Sequence, residues 1–166
     1  MSATTAVTLC PISSDVLPAT KPTPDSLAYS LTLPAAPASA AMARAATRAA
    51  LHLHGLGDVT EAVVQTVSEL AACAGRFSAA DDIYVSLRHR DGTVRVIVYD
   101  GHPRHTHPRL SAACDARRKA TLRVLTAVVR ACGGTWGVDA ARQPGGGTRM
   151  WAVLPTPGAR AYGRGR

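Results

Sequence analysis

The sequence predicts an α+β fold, a two-layer sandwich in which a mixed or antiparallel sheet carries helices on one face. Short runs with period-two alternation or β-branched residues indicate strands, and longer runs with apolar residues at helical spacing indicate helices. Strands and helices occur in groups, without the regular strand–helix–strand alternation that a parallel sheet requires.

Length and composition indicate one domain with tails. The chain has 166 residues, of which 46% are hydrophobic and only 4% aromatic, so the core must consist of Ala, Val and Leu. We predict a disordered leader rich in Ser, Thr, Pro and Ala over residues 1–26, a folded domain over 27–155, and a flexible basic tail over 156–166.

The domain begins with a strand and a helix. Residues 27–33 alternate apolar and polar side chains, which predicts a strand with one buried face. Pro37 suits the first turn of a helix that extends to His54, where Gly55 and Gly57 end it. The apolar stripe predicted to face the core consists of Met42, Ala45, Ala46, Ala49 and Leu53.

A second helix and a hairpin follow. The helix starts at about Asp58 or Thr60, ends near Arg76, and is predicted to bury an apolar face. The runs 83–87 and 94–98 are β-branched strands, and the Asp-Gly pair between them is a strong signal for a two-residue hairpin turn. The residues of the buried helix face are Val63, Val67, Leu70 and Ala74.

The remaining elements are a loop, a helix and a second hairpin. Residues 101–115 are rich in Pro and His and predict a long loop of the kind that forms lids or binding loops. A helix is predicted from Asp115 to Cys132, and strands at 136–138 and 148–154 flank a run of three glycines.

Charge, hydrophobic patterning and cysteine usage predict the class of partner and the cellular compartment. The 19 Lys and Arg exceed the 11 Asp and Glu, which favours acidic or phosphate-bearing partners, but too few aromatic residues are present to predict a nucleic-acid partner. The N-terminus lacks a secretory signal pattern, and an apolar run long enough to span a membrane is absent from the sequence. The four cysteines form no C-x-x-C pair. We therefore expect a cytoplasmic protein with reduced thiols.

One motif carries a family resemblance. The run Ser68-Glu69-Leu70, with Cys73 four residues after Glu69, resembles the first ATP-binding motif of the GHKL superfamily, in its anti-sigma-factor serine/threonine kinase branch. The resemblance implies that Glu69 is the general base and that Arg76 contributes to nucleotide binding. The family carries Asn as the Mg²⁺ ligand where this chain has Cys73, and sulfur is a poor ligand for Mg²⁺.

Two further motifs follow the same resemblance. Asp100-Gly101 ends a hydrophobic strand, as does the family's Asp that accepts a hydrogen bond from the adenine amino group. The family's glycine turn around the phosphates corresponds to Lys119, Thr121 and Leu122, where both glycines are missing. These five residues form the predicted nucleotide site together with Cys73, Arg76 and Thr148. Thr148 begins a strand that resembles the final strand of the family.

The resemblance covers residues 27–155 and implies a histidine kinase-like ATPase fold. It also implies ATP and Mg²⁺ as cofactors, and an anti-anti-sigma factor or a sigma factor as the protein partner. Two questions stay open: whether the chain is an enzyme, and whether it forms the homodimer that family members often form. One hypothesis is a kinase that phosphorylates Ser or Thr of an anti-anti-sigma factor. The other is a partner-binding scaffold of the same fold that has lost Mg-ATP turnover, because Cys73, Lys119 and Thr121 replace motif residues.

The spacing of the histidines, most of which lie in the predicted loop, raises the alternative of a metal site. Imidazoles two or three residues apart can bind Zn²⁺. The adjacent prolines and arginines favour a solvated loop instead, so we predict no metal site. The five histidines considered are His52, His54, His102, His105 and His107.

Overall fold

The computed structural model describes residues 21–142 and 146–164 of the chain. In this part of the protein, helices pack against a five-stranded antiparallel sheet, which confirms the predicted α+β class. The predicted leader falls mostly on residues 1–20, which lie outside the described residues.

The sheet has the strand order β1-β2-β3-β5-β4, with every neighbouring pair antiparallel. Asp91 and Gly92 both have positive φ, at 50° and 69°, as the tight turn between β2 and β3 requires. The hairpin signal in the sequence is therefore confirmed. The strands are β1 (Ala28–Pro34), β2 (Asp82–Arg90), β3 (Thr93–Asp100), β4 (Thr135–Ala140) and β5 (Thr148–Pro155).

The helices cover one face of this sheet, with α2 at the centre of the layer and in contact with α1, α4 and α5. No helix in the described part of the chain is both long and apolar enough to cross a membrane. The helices are α1 (Ser39–Leu53), α2 (Thr60–Phe77), α3 (Pro108–Thr121), α4 (Arg123–Ala131) and α5 (Thr156–Arg164).

The core lies between α2 and the central strands. Alternate residues of β3 and β5 point towards the helices and are buried, as period-two alternation predicts. The predicted apolar face of α2 is confirmed, since all four of its residues are fully buried. The buried residues of β3 and β5 are Val94, Val96, Val98, Asp100, Thr148, Met150, Ala152 and Leu154.

The predicted buried face of α1 is wrong. Met42 and Leu53 are 61% and 58% exposed, and the helix buries a different stripe against α2. Helix α1 is so rich in alanine that two stripes fit the helical period, and packing against α2 selects the stripe that is buried. The buried stripe consists of Ser39, Ala40, Ala43, Thr47 and Leu51.

The predicted long loop and single helix between residues 101 and 132 also need correction. Helix α3 already begins at Pro108, so the loop covers only 101–107. Proline is favourable at the first helical position, because an N–H group there would have no hydrogen-bond acceptor within the helix. The backbone then breaks at Leu122 (φ −98°, ψ 30°), which separates α3 from α4.

Both predicted tails are partly ordered. The tail is helical over Thr156–Arg164, and Arg160 of this helix forms an ion pair with Asp58, so a flexible tail is wrong for these residues. At the other end, the Nδ1 atom of buried His54 lies 2.7 Å from the carbonyl oxygen of Thr23. The prediction of disorder is therefore wrong for the end of the leader next to β1.

Candidate functional site

The predicted adenine acceptor, Asp100, forms a buried ion pair. Arg118 donates from Nη1 to Asp100 Oδ2 at 2.5 Å and from Nη2 to Oδ1 at 3.4 Å. The two side chains are 1% and 0% exposed. Oδ1 also accepts the backbone N–H of His102 at 2.9 Å, so both carboxylate oxygens already have donors.

Helix α3 brings Arg118 to this position. The family's glycine turn corresponds to residues 119–121, where this chain has Lys119 and Thr121 instead, and α3 continues as a helix to Thr121. Cys114, Arg118 and Thr121 lie three or four residues apart, so they share the face of α3 that turns towards the domain. The position of Arg118 on this face of α3 brings its guanidinium to the Asp100 carboxylate.

Aromatic and sulfur contacts surround the guanidinium. Its Cζ lies 4.6 Å from the centre of the Phe77 ring, in a cation–π arrangement, and Nη1 lies 3.6 Å from Met150 Sδ. We call Asp100, Arg118, Phe77 and Met150 the closed pocket. A buried carboxylate that is paired in this way cannot accept a hydrogen bond from adenine unless Arg118 first leaves.

The backbone around Asp100 is closely packed as well. A Cβ atom at Gly101 would collide with Ala80, and one at Gly147 would collide with the carbonyl oxygen of Asp100. Gly147 also has φ at +87°, which side chains rarely tolerate. These glycines serve close packing around the pair, in addition to any role that the family resemblance implies for Gly101.

A separate cleft of 510 Å³ contains four of the predicted site residues, Glu69, Cys73, Arg76 and Thr121. We call it the α2 cleft. Glu69 is half-buried and accepts a hydrogen bond from Gln65 at 3.0 Å. A carboxylate and a guanidinium therefore border a cavity of a size that is common for small ligands.

Cys73 stands where the family resemblance requires a Mg²⁺ ligand. It is buried, and its Sγ lies 3.4 Å from Thr121 Oγ1, which itself donates to the Arg118 carbonyl at 2.8 Å. Burial raises the pKa of the Cys73 thiol above its usual value. The thiol is therefore neutral at physiological pH and unsuited to a hard cation.

The other predicted residues do not line the α2 cleft. Leu122 is fully buried in the core, and Lys119 is exposed. Buried Thr148 donates its hydroxyl to the carbonyl oxygen of His102 at 3.1 Å. The structure thus brings four predicted residues together around the α2 cleft, which is not lined by Asp100, Gly101, Lys119, Leu122 or Thr148.

The sequence did not reveal the tertiary contacts of Arg118 and Cys114. Arg118 is one of three consecutive basic residues, and only the helical register of α3 distinguishes it from Arg117, which is exposed. Cys114 lies in the same chain segment as the histidines, and its Sγ is 3.7 Å from His102 Nε2. A histidine-rich segment that ends in a cysteine is the signal that could have indicated this cluster.

One predicted histidine has a structural hydrogen bond, whereas two others lie close to a cysteine. His54 is used structurally, with Nε2 3.0 Å from the Tyr29 hydroxyl. His102, His105 and Cys114 place one potential metal-binding atom each within 4.8 Å of the others.

Comparison with models of known protein families gave no match, and neither did a search of curated proteins.

Proposed function

We propose that the chain is a partner-binding regulatory protein that resembles anti-sigma-factor kinases in architecture but has lost Mg-ATP turnover. The buried pair of Arg118 and Asp100 carries this proposal, because it occupies the carboxylate on which adenine recognition would depend. The neutral thiol of Cys73, at the expected position of the Mg²⁺ ligand, supports the same conclusion.

An exposed apolar surface supports binding to a protein. The solvent-facing stripe of α1 borders β1 around a groove of 290 Å³. Tyr29 and Leu53 are exposed at this groove and offer apolar side chains to a protein partner. The residues that line the groove are Tyr29, Leu31, Ala46, Thr47, Ala49, Ala50, Leu53, Val85 and Leu87.

By the resemblance, the partner is an anti-anti-sigma factor or a sigma factor, bound in stoichiometric amounts in the cytoplasm. Binding assays against the sigma factors and anti-anti-sigma factors of the same genome would test this. We expect a complex with at least one of them without added ATP, and we expect Leu53→Asp to weaken it. Arg48→Asp, also on the exposed side of α1, is the control for charge alone. The absence of any complex would contradict the proposal.

Nucleotide binding is tested separately by calorimetry with Mg-ATP. We expect no detectable heat for the wild type at millimolar ATP, because the closed pocket must open before adenine can bind. Micromolar binding that Asp100→Asn abolishes would contradict the closed pocket and favour the kinase hypothesis. In that case Cys73→Asn should be tested for gained turnover.

A second hypothesis places a nucleotide in the α2 cleft, which is bordered by the side chains of Glu69 and Arg76. Under this second hypothesis ATP would bind through its phosphates alone, without adenine recognition. GTP would then bind as well as ATP, whereas a working Asp100 site would discriminate between the two bases.

A further inference from the structure

We propose that His102, His105 and Cys114 form a binding site for a divalent ion of the zinc type, which fastens the loop 101–107 to helix α3. One potential ligand atom of each residue lies within 4.8 Å of the other two. Two imidazoles and a thiolate are a ligand set that suits Zn²⁺. Metal binding at this site requires neither the protein partner nor ATP.

The geometry of two ligands is already close to that of a bound ion. Cys114 Sγ and His102 Nε2 are 3.7 Å apart. Two such atoms on one tetrahedral zinc would be separated by about 3.5 Å, from bonds of about 2.3 Å to sulfur and about 2.0 Å to nitrogen. The rings of His102 and His105 meet edge to face, with centroids 5.2 Å apart. His105 is exposed, so its ring can rotate towards the other two ligands.

The backbone around the cluster is held from several sides. The N–H of His102 donates to Asp100, and its carbonyl accepts from Thr148. Arg104 forms two hydrogen bonds with Asp115, at 2.6 and 3.1 Å, which join the loop to α3 directly beside Cys114. Ligands on a backbone fixed in this way lose little entropy when they bind a metal.

Three protein ligands leave a fourth coordination position free. Next to the cluster, a cleft of 610 Å³ is bordered by Phe77, Arg117 and all three ligands. Water or an anionic ligand could occupy the fourth position from this side. A bound ion would also hold α3 more firmly, and with it the Arg118 side chain in the closed pocket.

The first experiment titrates zinc into the metal-free full chain, in competition with a chromophoric chelator. We expect one equivalent to bind, and His105→Ala or Cys114→Ser to lower the affinity at least about tenfold. His107→Ala is the matched control, since His107 lies in the same segment but outside the cluster and its side chain does not cap α3. Equal loss in this control, or unchanged affinity in the two ligand variants, would overturn the proposal.

Two further readouts locate the ion. Cobalt in place of zinc should give a sulfur-to-metal charge-transfer band that Cys114→Ser removes and His107→Ala keeps. Zinc at about a hundred times its Kd should raise the Tm of the wild type on the order of 5 °C and leave Cys114→Ser unchanged. A charge-transfer band that survives Cys114→Ser would assign the metal to another cysteine and overturn the site.

Discussion

Two arginine–aspartate pairs lie on opposite faces of the same end of the sheet. On the helix-covered face, Arg118 pairs with Asp100, and both side chains are at most 1% exposed. On the open face, Arg149 pairs with Asp139 at 2.9 Å, with side chains 36% and 49% exposed. Both pairs join a guanidinium to a carboxylate, and they differ most in their exposure to solvent.

The difference in solvent exposure changes the cost of removing one partner from each pair. Removing one partner of a buried pair leaves an uncompensated charge in a medium of low dielectric, whereas water screens the exposed pair. A buried pair adds little net stability relative to apolar residues of the same shape, so stability does not explain its presence. Its consequence for the proposed function is that both oxygens of Asp100 already have donors.

The largest expected effect is that of Arg118→Met. We expect a loss of about 3–5 kcal/mol in the free energy of unfolding, because Asp100 would stay buried without a cation. Urea denaturation at pH 7 measures it. Arg117→Met, on the exposed neighbour, should change stability by less than about 0.5 kcal/mol. Equal effects in both variants would show that burial of the pair is unimportant.

The double variant Arg118→Met/Asp100→Asn should be more stable than Arg118→Met alone. Asn at position 100 can still accept the N–H of His102 but carries no charge that needs a partner. A double-mutant cycle should give a coupling energy of about 2 kcal/mol. If the single-variant effects simply add, the two side chains do not interact as described.

Much of the fold was predictable because hydrophobic periodicity records burial directly. The alternation in β3 and β5 and the apolar face of α2 fixed the central layers. Helix α1 shows the limit of this approach, because its many alanines gave two apolar stripes, and only packing against α2 selects between them.

The candidate site was less predictable than the fold. The family resemblance singled out Glu69, Asp100 and Cys73, but the partner of Asp100 depends on the register of α3, and that register depends on a helix start at Pro108. Proline and histidine in this segment indicated a loop. Only tertiary structure decides that Arg118 turns inward while Arg117 stays in solvent.

A third arginine–aspartate pair lies between these two in its exposure to solvent. The pair of Arg104 and Asp115 is partly buried, with side chains 31% and 25% exposed, and Asp115 is the main reason for the raised pKa of Arg104. We expect Arg104→Ala to cost about 1 kcal/mol. In metal-free protein, hydrogen exchange should increase mainly in the first turns of α3. Arg109→Ala, on an exposed residue of the same helix, should change neither quantity.

The smallest effect belongs to Asp139→Asn. Hydrogen bonds from Arg149 and then from Trp151 Nε1 lower the pKa of Asp139. A folded-state pKa below the unfolded value means that the contribution to stability is present above the unfolded pKa and is lost as pH falls through the folded pKa.

At pH 7 we therefore expect Asp139→Asn to cost less than about 1 kcal/mol, since the pair is half exposed. The difference from the wild type should shrink as pH falls below the range near 4 in which free aspartate titrates. Urea denaturation at pH 7 and at decreasing pH measures it, with exposed Asp81→Asn as the control. A cost as large as that of Arg118→Met would mean that exposure does not separate the two pairs. A cost that grows in acid would mean that the Asp139 carboxylate destabilises the fold.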